Sequence, residues 1–417
     1  MTSESKLDTA RLYIELLTKT PFPKIWTIQI LSQVSLNLVN FLLILRIFEA
    51  TGSTVAVSLV WLFYATPVLI LGPFAGTISD LFSKRSLMFA AISVQAAAVL
   101  FYLPIQSRIW PIYLVVFLYG IISQVYIPAE SSMMVRLVPK KLLAAANSLF
   151  VFTIYASFLF GFGLAGPLVR LFGKNTPFLI VSALLVFGSF LVRSLPKDEK
   201  AEKVTTPDDF WRKLVEGYAF LKKNPNVLFP LILLVLTSAV VQIIAVLAPA
   251  ITVKVFGIDL LDASTRVILP VGAGAIMGAF GAVRLLRTNR KKVVVTQGIF
   301  MAAISLAVLG LAVPNIENST LVGTMALFTL GLSFPMVSIP SQTLMQEKTP
   351  ETLRGRVFGT LGFLMTGFSL LPVLFSAALT EVISEVALIV LLSIVILISG
   401  FMSLYPERLF RIYMKQS

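Results

Sequence analysis

Apolar residues in this chain come in long runs separated by short polar segments, not in the alternation of half-buried strands. Runs of about 20 apolar residues are long enough to cross the hydrocarbon core of a bilayer as helices. They lie near 24–48, 53–79, 86–104, 109–137, 143–169, 176–195, 226–253, 264–286, 293–313, 320–345, 356–380 and 384–405. Only helices and closed barrels satisfy their backbone in lipid, and barrel strands would alternate. The pattern therefore predicts an all-α polytopic membrane protein with 12 transmembrane helices. The one long hydrophilic stretch, Ser194 to Asn226, leaves six runs on either side of it. Within it Phe210, Trp211, Leu214, Tyr218 and Leu221 recur at helical spacing and predict a surface helix.

The expected organisation is an N-terminal segment (1–23), a six-helix bundle (24–195), a linker (196–225), a second six-helix bundle (226–405) and a tail (406–417). The first segment lacks the apolar core of a signal peptide. With Leu7, Ala10, Ile14 and Leu17 on one side, it reads either as an amphipathic helix on the membrane surface or as a frayed tail. The two bundles echo one another. Ile127-Pro128-Ala129-Glu130, then Pro139, then Leu149-Phe150 is matched by Ile339-Pro340-Ser341-Gln342, then Pro350, then Val357-Phe358-Gly359. The basic loop Arg284, Arg287, Arg290, Lys291 and Lys292 likewise occupies the place of Asp80, Lys84 and Arg85. Two parallel six-helix repeats, pseudo-symmetric about a substrate cavity, are a transporter architecture.

Composition agrees with that picture. The chain is 57% hydrophobic and only 13% charged, where a soluble protein carries about 25% charged residues. It has no cysteine and no histidine, which excludes disulfides, thiolate chemistry and histidine-based metal or proton sites; no metal is expected. The net charge of +14 would suggest nucleic acid in a soluble protein. Here position explains it. With the N-terminus inside, all of the 34 Lys and Arg residues except Arg46, Arg108, Arg170, Lys174, Lys254 and Arg266 fall in the tails, the linker and alternate loops. That bias places both termini in the cytoplasm of a multi-pass protein, expected in the plasma (inner) membrane, with no nucleic-acid partner. No phosphate loop, Walker motif or paired carboxylate within a run points to an enzyme.

Few polar groups remain as candidates. The segment Gly76-Thr77-Ile78-Ser79-Asp80-Leu81-Phe82-Ser83-Lys84-Arg85 sets an acid and two bases between two apolar runs, and an acid beside a membrane is costly and needs a partner. The two bases read either as gate contacts or as topology anchors. Gln29, Gln33, Asn37 and Asn40 form one stripe of the first run. Amides facing lipid would be costly, so the stripe faces either a cavity or another helix. Glu130 is the one acid well inside a run. It reads either as a proton-exchanging group or as a gate contact to Arg136 or Lys141. The 32 Phe and 12 Met residues can form an adaptable apolar pocket, although most of them face lipid or core.

At these residues the chain resembles the major facilitator superfamily. Gly76, Asp80, Lys84 and Arg85 are similar to its signature loop, with Leu81 in place of the base that usually follows the acid. Gly163, Gly166 and Pro167 resemble the Gly-Pro element of its antiporter branch, with Arg170 where a glycine is expected. Glu49-Ala50-Thr51-Gly52-Ser53, Glu216-Gly217-Tyr218, Gln346-Glu347-Lys348 and Leu353-Arg354-Gly355-Arg356-Val357-Phe358 are similar to bacterial macrolide-efflux and siderophore-exporter proteins. Lysophospholipid transporters resemble the chain around 72–80 and 128–147.

The resemblance implies that spans one, four, seven and ten line the cavity. That adds Ser123, Gln124 and Tyr126, Ser238 and Gln242, and Ser333, Ser338 and Gln342 to the amide stripe. It implies that Asp80 lies close to the start of span eleven, where the helix dipole favours a carboxylate by about 0.3–1 kcal/mol. Gly76, Asp80, Lys84, Arg85, Arg354 and Arg356 would then form a conformational latch. The arginine of the superfamily's proton-coupling motif, expected near Val116, is absent. The implied activity is a secondary active transporter working by alternating access. It would be a monomer in the bilayer, without a cofactor, exporting amphipathic or hydrophobic small molecules (drug-, macrolide- or siderophore-like) against H+. The alternatives are a lysophospholipid or lipid flippase and, against the grain of the short loops, a non-transporting receptor.

Overall fold

The computed structural model describes residues 3–104, 108–197, 207–316 and 319–404. Among them every regular element is helical. In chain order these are α1 (Ser3–Lys19), α2 (Phe22–Thr51), α3 (Thr54–Leu81), α4 (Lys84–Phe101), α5 (Ile109–Leu137), α6 (Leu143–Phe172), α7 (Thr176–Arg193), α8 (Pro207–Lys223), α9 (Pro225–Ala250), α10 (Leu269–Thr288), α11 (Lys291–Ala307), α12 (Thr320–Lys348), α13 (Glu351–Leu379) and α14 (Glu385–Leu404). Short π-helical segments follow α9 (Ile251–Val255) and α11 (Val308–Ala312) and precede α10 (Ala263–Ile268). Eleven of the described helices are long and apolar enough to cross a membrane, and α14 adds the shorter apolar run Glu385–Phe401. The protein is an all-α, multi-pass integral membrane protein.

The chain divides into two compact units, Met1–Leu43 with Phe63–Phe210 and Ile44–Leu62 with Trp211–Ser417. In the first, α4 packs on α5 and α7, and the Ser182 hydroxyl on α7 donates to the Ala96 carbonyl on α4 at 3.1 Å. In the second, α11 packs on α12 and α14, and Ser393 on α14 donates to Ala303 on α11 at 2.9 Å. The same contact recurs at the same place in each repeat. A lone hydroxyl in an apolar span is cheap when it bonds a carbonyl of its neighbour, and here each fixes the register of a helix pair.

With no hydrophobic drive between helices in lipid, close approach at small residues supplies the packing. In the first unit α2 and α6 meet at Gly161, where an added Cβ would lie 2.5 Å from that of Asn37. Phe162 beside it stacks on Phe158 and meets Phe41, with ring centroids 4.4 and 5.0 Å apart. In the second unit Gly274 and Gly278 of α10, four residues apart, lie against the α12 backbone. A Cβ on them would fall 2.0 Å from the Phe328 carbonyl oxygen and 2.3 Å from that of Leu332.

The two helices outside the spans are docked. On α1, Leu16 is fully buried, Tyr13 and Ser148 share a hydroxyl hydrogen bond of 2.8 Å, and Ile14 stays exposed. The helix therefore has a protein face and an open apolar flank; the side chains of Leu7 and Ala10 lie outside the described residues. On α8, Leu221 is buried in a cluster with Val227, Leu231, Leu234, Met345, Val357 and Leu361. Trp211 meets Phe363 edge-on.

The glycine contacts give a matched pair of substitutions. Gly278→Ala is expected to destabilise by about 1–3 kcal/mol, because its Cβ meets backbone that must shift. Gly281→Ala, with open space around its Cβ, should be neutral or gain up to about 1 kcal/mol of helix propensity. Thermal unfolding of the two purified variants measures the difference.

Candidate functional site: a polar ladder and charged helix ends in the first bundle

The turn between α3 and α4 begins with Ser83, whose hydroxyl caps α4 by accepting from the Ser86 amide at 3.3 Å. That cap directs the two following bases back into the bundle. Lys84 is buried, and its ammonium donates to the Ser79 carbonyl near the end of α3. Arg85 donates to the Arg193 carbonyl at the end of α7. Carbonyls at a helix C-terminus lack intrahelical donors and carry the negative end of the dipole, so both cations are well placed. Arg193 in turn lies over the Phe89 ring, 4.2 Å from its centroid. The bases of this loop thus tie α3, α4 and α7 together. The side chains of Gly76, Asp80, Arg354 and Arg356 lie outside the described residues. In the second unit Lys291, at the start of α11, pairs with Glu347 near the end of α12.

Glu130 is 5% exposed on α5, and its carboxylate accepts the Tyr126 hydroxyl at 2.6 Å. Ser32 of α2 bonds the same phenol. One turn back, Ser123 donates to the Tyr119 carbonyl at 2.9 Å and accepts from Gln95 of α4 at 3.2 Å, and Tyr64 of α3 bonds it as well. Beyond lies a cavity of about 10 Å³ bordered by Asn40, Tyr64, Tyr102 and Tyr119, a volume that suits roughly one water. Spacing of three and four residues puts Tyr119, Ser123, Tyr126 and Glu130 along one side of α5, so they form a polar ladder inside an apolar bundle. Among the described residues no base sits on Glu130. Arg136 is exposed, and Lys141 pairs with Glu15 of α1 at 2.6 Å.

The amide stripe of α2 divides. Gln29 donates to the Phe150 carbonyl of α6 at 3.3 Å. Asn37 donates to the Gln33 carbonyl at 2.9 Å and to Ser157 of α6 at 3.3 Å. These two fasten α2 to α6, while Asn40 borders the small cavity. Gln124 is buried on α5. In the second unit Gln242 donates to Ser238 at 3.2 Å within α9. Ser333 is buried and bonds the Leu330 carbonyl, and Ser338 and Gln342 are half-buried on α12. Gly163 and Gly166 are buried in α6 and Pro167 is half-buried.

Sequence reasoning missed several groups. Ser32, Tyr64 and Gln95 complete the ladder; Ser32 lies off the amide stripe of its run, and Tyr64 and Gln95 are isolated in mainly apolar segments. In the second unit Ser53 donates to Glu381 at 2.9 Å, and the Thr54 hydroxyl meets that of Thr380 and the Ala377 carbonyl. These partners are more than 320 residues apart in the chain, and no local signal joins them. The Lys254–Glu385 pair, at 2.6 Å, lies at the head of α14.

A family model for the Major Facilitator Superfamily matches residues 25–372, and the chain belongs to that family. It is a membrane transporter of that superfamily. It is 26% identical over 380 residues to an uncharacterized MFS-type transporter, YfiS, of Bacillus subtilis, covering 88% of each chain. It is also 26% identical over 360 residues to macrolide efflux protein A of Streptococcus pyogenes, covering 84% of this chain and 86% of that one. Among solved structures, the nucleoside transporter NupG superposes with a TM-score of 0.72 at 14% identity, covering 92% of this chain and 98% of that one. The POT family transporter PepTSo superposes with a TM-score of 0.69 at 14% identity, covering 94% and 98%. These two likenesses are of fold.

The Glu15–Lys141 pair makes the docking of α1 depend on pH. The hydrogen bond from Lys141 holds the Glu15 carboxyl below the usual carboxylate range. Its contribution is therefore complete above the ordinary value of about 4.3 and is lost as pH falls through the lowered one. Hydrogen-exchange protection of the α1 amides, corrected for intrinsic rates, should be high at neutral pH and fall in acid. Glu15→Gln should lower it at neutral pH and flatten the dependence.

Proposed function

We propose that this protein is a proton-coupled exporter of amphipathic or hydrophobic small molecules, working by alternating access as a monomer. In this reading it lies in the plasma (inner) membrane with both termini in the cytoplasm. The observation that carries the reading is Glu130, a buried carboxyl on a membrane-spanning helix that receives the Tyr126 hydroxyl. Ionisable groups at membrane depth belong to ion paths and proton relays. Tyr126, whose hydroxyl is also bonded by Ser32 of α2, offers a donor and acceptor through which a proton can reach Glu130. The arginine absent near Val116 makes Glu130 the first candidate for the coupling group. Similarity to macrolide efflux protein A supports a bulky, largely apolar substrate and the outward direction.

In proteoliposomes with an imposed pH gradient, a macrolide-like fluorescent dye should be pumped, and pumping should collapse with the gradient. Glu130→Gln should reduce it to the level of empty vesicles. A variant that still couples normally removes Glu130 from the proton role. Gradient-independent movement of a labelled lysophospholipid instead of the dye would favour the lipid flippase.

The latch at the α3–α4 turn is a second part of this reading. Asp80 paired with the start of α13 would hold the cytoplasmic side closed, a contact worth about 0.3–1 kcal/mol. Asp80→Asn should shift the ratio of conformers roughly two- to fivefold toward the cytoplasm-open state, read by crosslinking of cysteine pairs introduced into this cysteine-free chain. An unchanged ratio refutes the latch.

A further inference from the structure

The second unit contains a cavity of about 610 Å³ enclosed by α9, α11, α12, α13 and α14. Its size lies within the ~300–1,000 Å³ of pockets that bury small ligands, but its chemistry is not that of a typical ligand site. Among the described residues no charged side chain lines it. It is bordered by four hydroxyls, and each is committed to a carbonyl of its own helix. Thr237 donates to Leu233 at 2.7 Å, Ser376 to Val373 at 2.9 Å, Ser399 to Ile396 at 2.7 Å, and Ser333 to Leu330. A polar ligand placed there would exchange water for walls with no free donor, an unfavourable exchange. A hydrocarbon chain would lose nothing.

The position of the cavity indicates where such a chain comes from. Along α14 its lining runs from Leu388 to Ser399, about 17 Å at 1.5 Å per residue. That is close to one leaflet, half of a hydrocarbon core about 30 Å thick. The lining begins one helical turn from the head of α14 and reaches the middle of α9, α11 and α12. The most open lining residues are on the two helices that form the α13–α14 turn, Phe375 and Leu371 on α13 at 68% and 64% and Val395 on α14 at 53% exposure. Ile394, Ile398 and Phe401 of α14 are exposed as well, so the helix that forms one lip shows an apolar surface suited to the bilayer. The inner wall, with Ala239, Ala302 and Ser333, is buried. An apolar void of this size opening on fluid hydrocarbon would forfeit its dispersion contacts if it stayed empty.

We infer that this cavity is an intramembrane site for one acyl chain of a bilayer phospholipid, entered laterally along α13 and α14. The site is separate from the polar ladder of the first bundle, and Ser333, which the resemblance implies for the substrate cavity, borders it. It is tested at equilibrium, with no gradient and no substrate. The full-length protein is reconstituted into vesicles containing a phosphatidylcholine with a diazirine midway along one chain, irradiated and mapped by peptide mass spectrometry. Adducts are expected on residues 237–243 of α9 and 333–337 of α12, besides the outward-facing Phe280 of α10. Ala302→Phe and Ala239→Phe, which fill the cavity, should each reduce the α9 and α12 adducts roughly tenfold and leave those at Phe280 unchanged. The inference is overturned if wild-type adducts are confined to outward-facing residues, or if a filled variant that folds is labelled inside as before. It is also overturned if a macrolide-like dye displaces the α9 and α12 adducts, because the cavity is then a substrate site.

Discussion

In hydrocarbon every polar group must find its partner within the chain, and that requirement shapes this molecule from backbone to site. It makes every described regular element a helix. It sends the hydroxyls of Ser182 and Ser393 to the carbonyls of the neighbouring helix, and the amides of Gln29 and Asn37 across to α6. It also places the Lys84 and Arg85 cations at the unpaired carbonyl ends of α3 and α7. A charge at a membrane margin is tolerated where a helix end receives it.

The same requirement separates what the two bundles hold. The first collects hydroxyls and one carboxyl along α5, with Ser32 of α2 bonded to Tyr126, and Tyr64 of α3 and Gln95 of α4 bonded to Ser123. The second surrounds an apolar cavity whose few hydroxyls are turned back onto their own helices. The bundles share a packing scheme, with the sixth and twelfth spans bonded alike to the third and ninth, and differ in their interior chemistry. A set of bonded polar groups with one carboxyl thus sits in one repeat and an apolar space in the other, an asymmetry that a duplicated architecture permits because each bundle keeps its own helix contacts.

Much of the architecture was legible because length and apolarity are local properties. Twenty apolar residues make a span whatever surrounds them, and Pro128 and Pro340 mark the repeat by position alone. Glu130 was legible for the same reason: an acid inside a span stands out. Its partner was not. The tyrosine one turn away reads as one aromatic among many, and Lys141, adjacent in sequence logic, is taken by Glu15 of a helix that pattern alone left open. The amide stripe shows the limit most clearly. Spacing put Gln29, Asn37 and Asn40 on one side of α2, yet the first two meet α6 and the third faces a small cavity with three tyrosines. Which neighbour a helix face meets is set by crossing angles and by close approach at Gly161, and neither is written in local pattern.

The sequence by itself determined the spans, the two repeats, the absence of histidine and cysteine chemistry, and the likeness to the superfamily. Each of these follows from composition and short-range order. Tertiary structure alone decided which polar groups join into the ladder, and that Lys84 and Arg85 cap helix ends. It alone brought Ser53 and Thr54 to Glu381 and Thr380, and left an apolar cavity among α9, α11, α12, α13 and α14. These contacts link residues up to more than 320 positions apart. In a bundle of nearly uniform apolar helices, side-chain packing selects such partners, and local sequence does not.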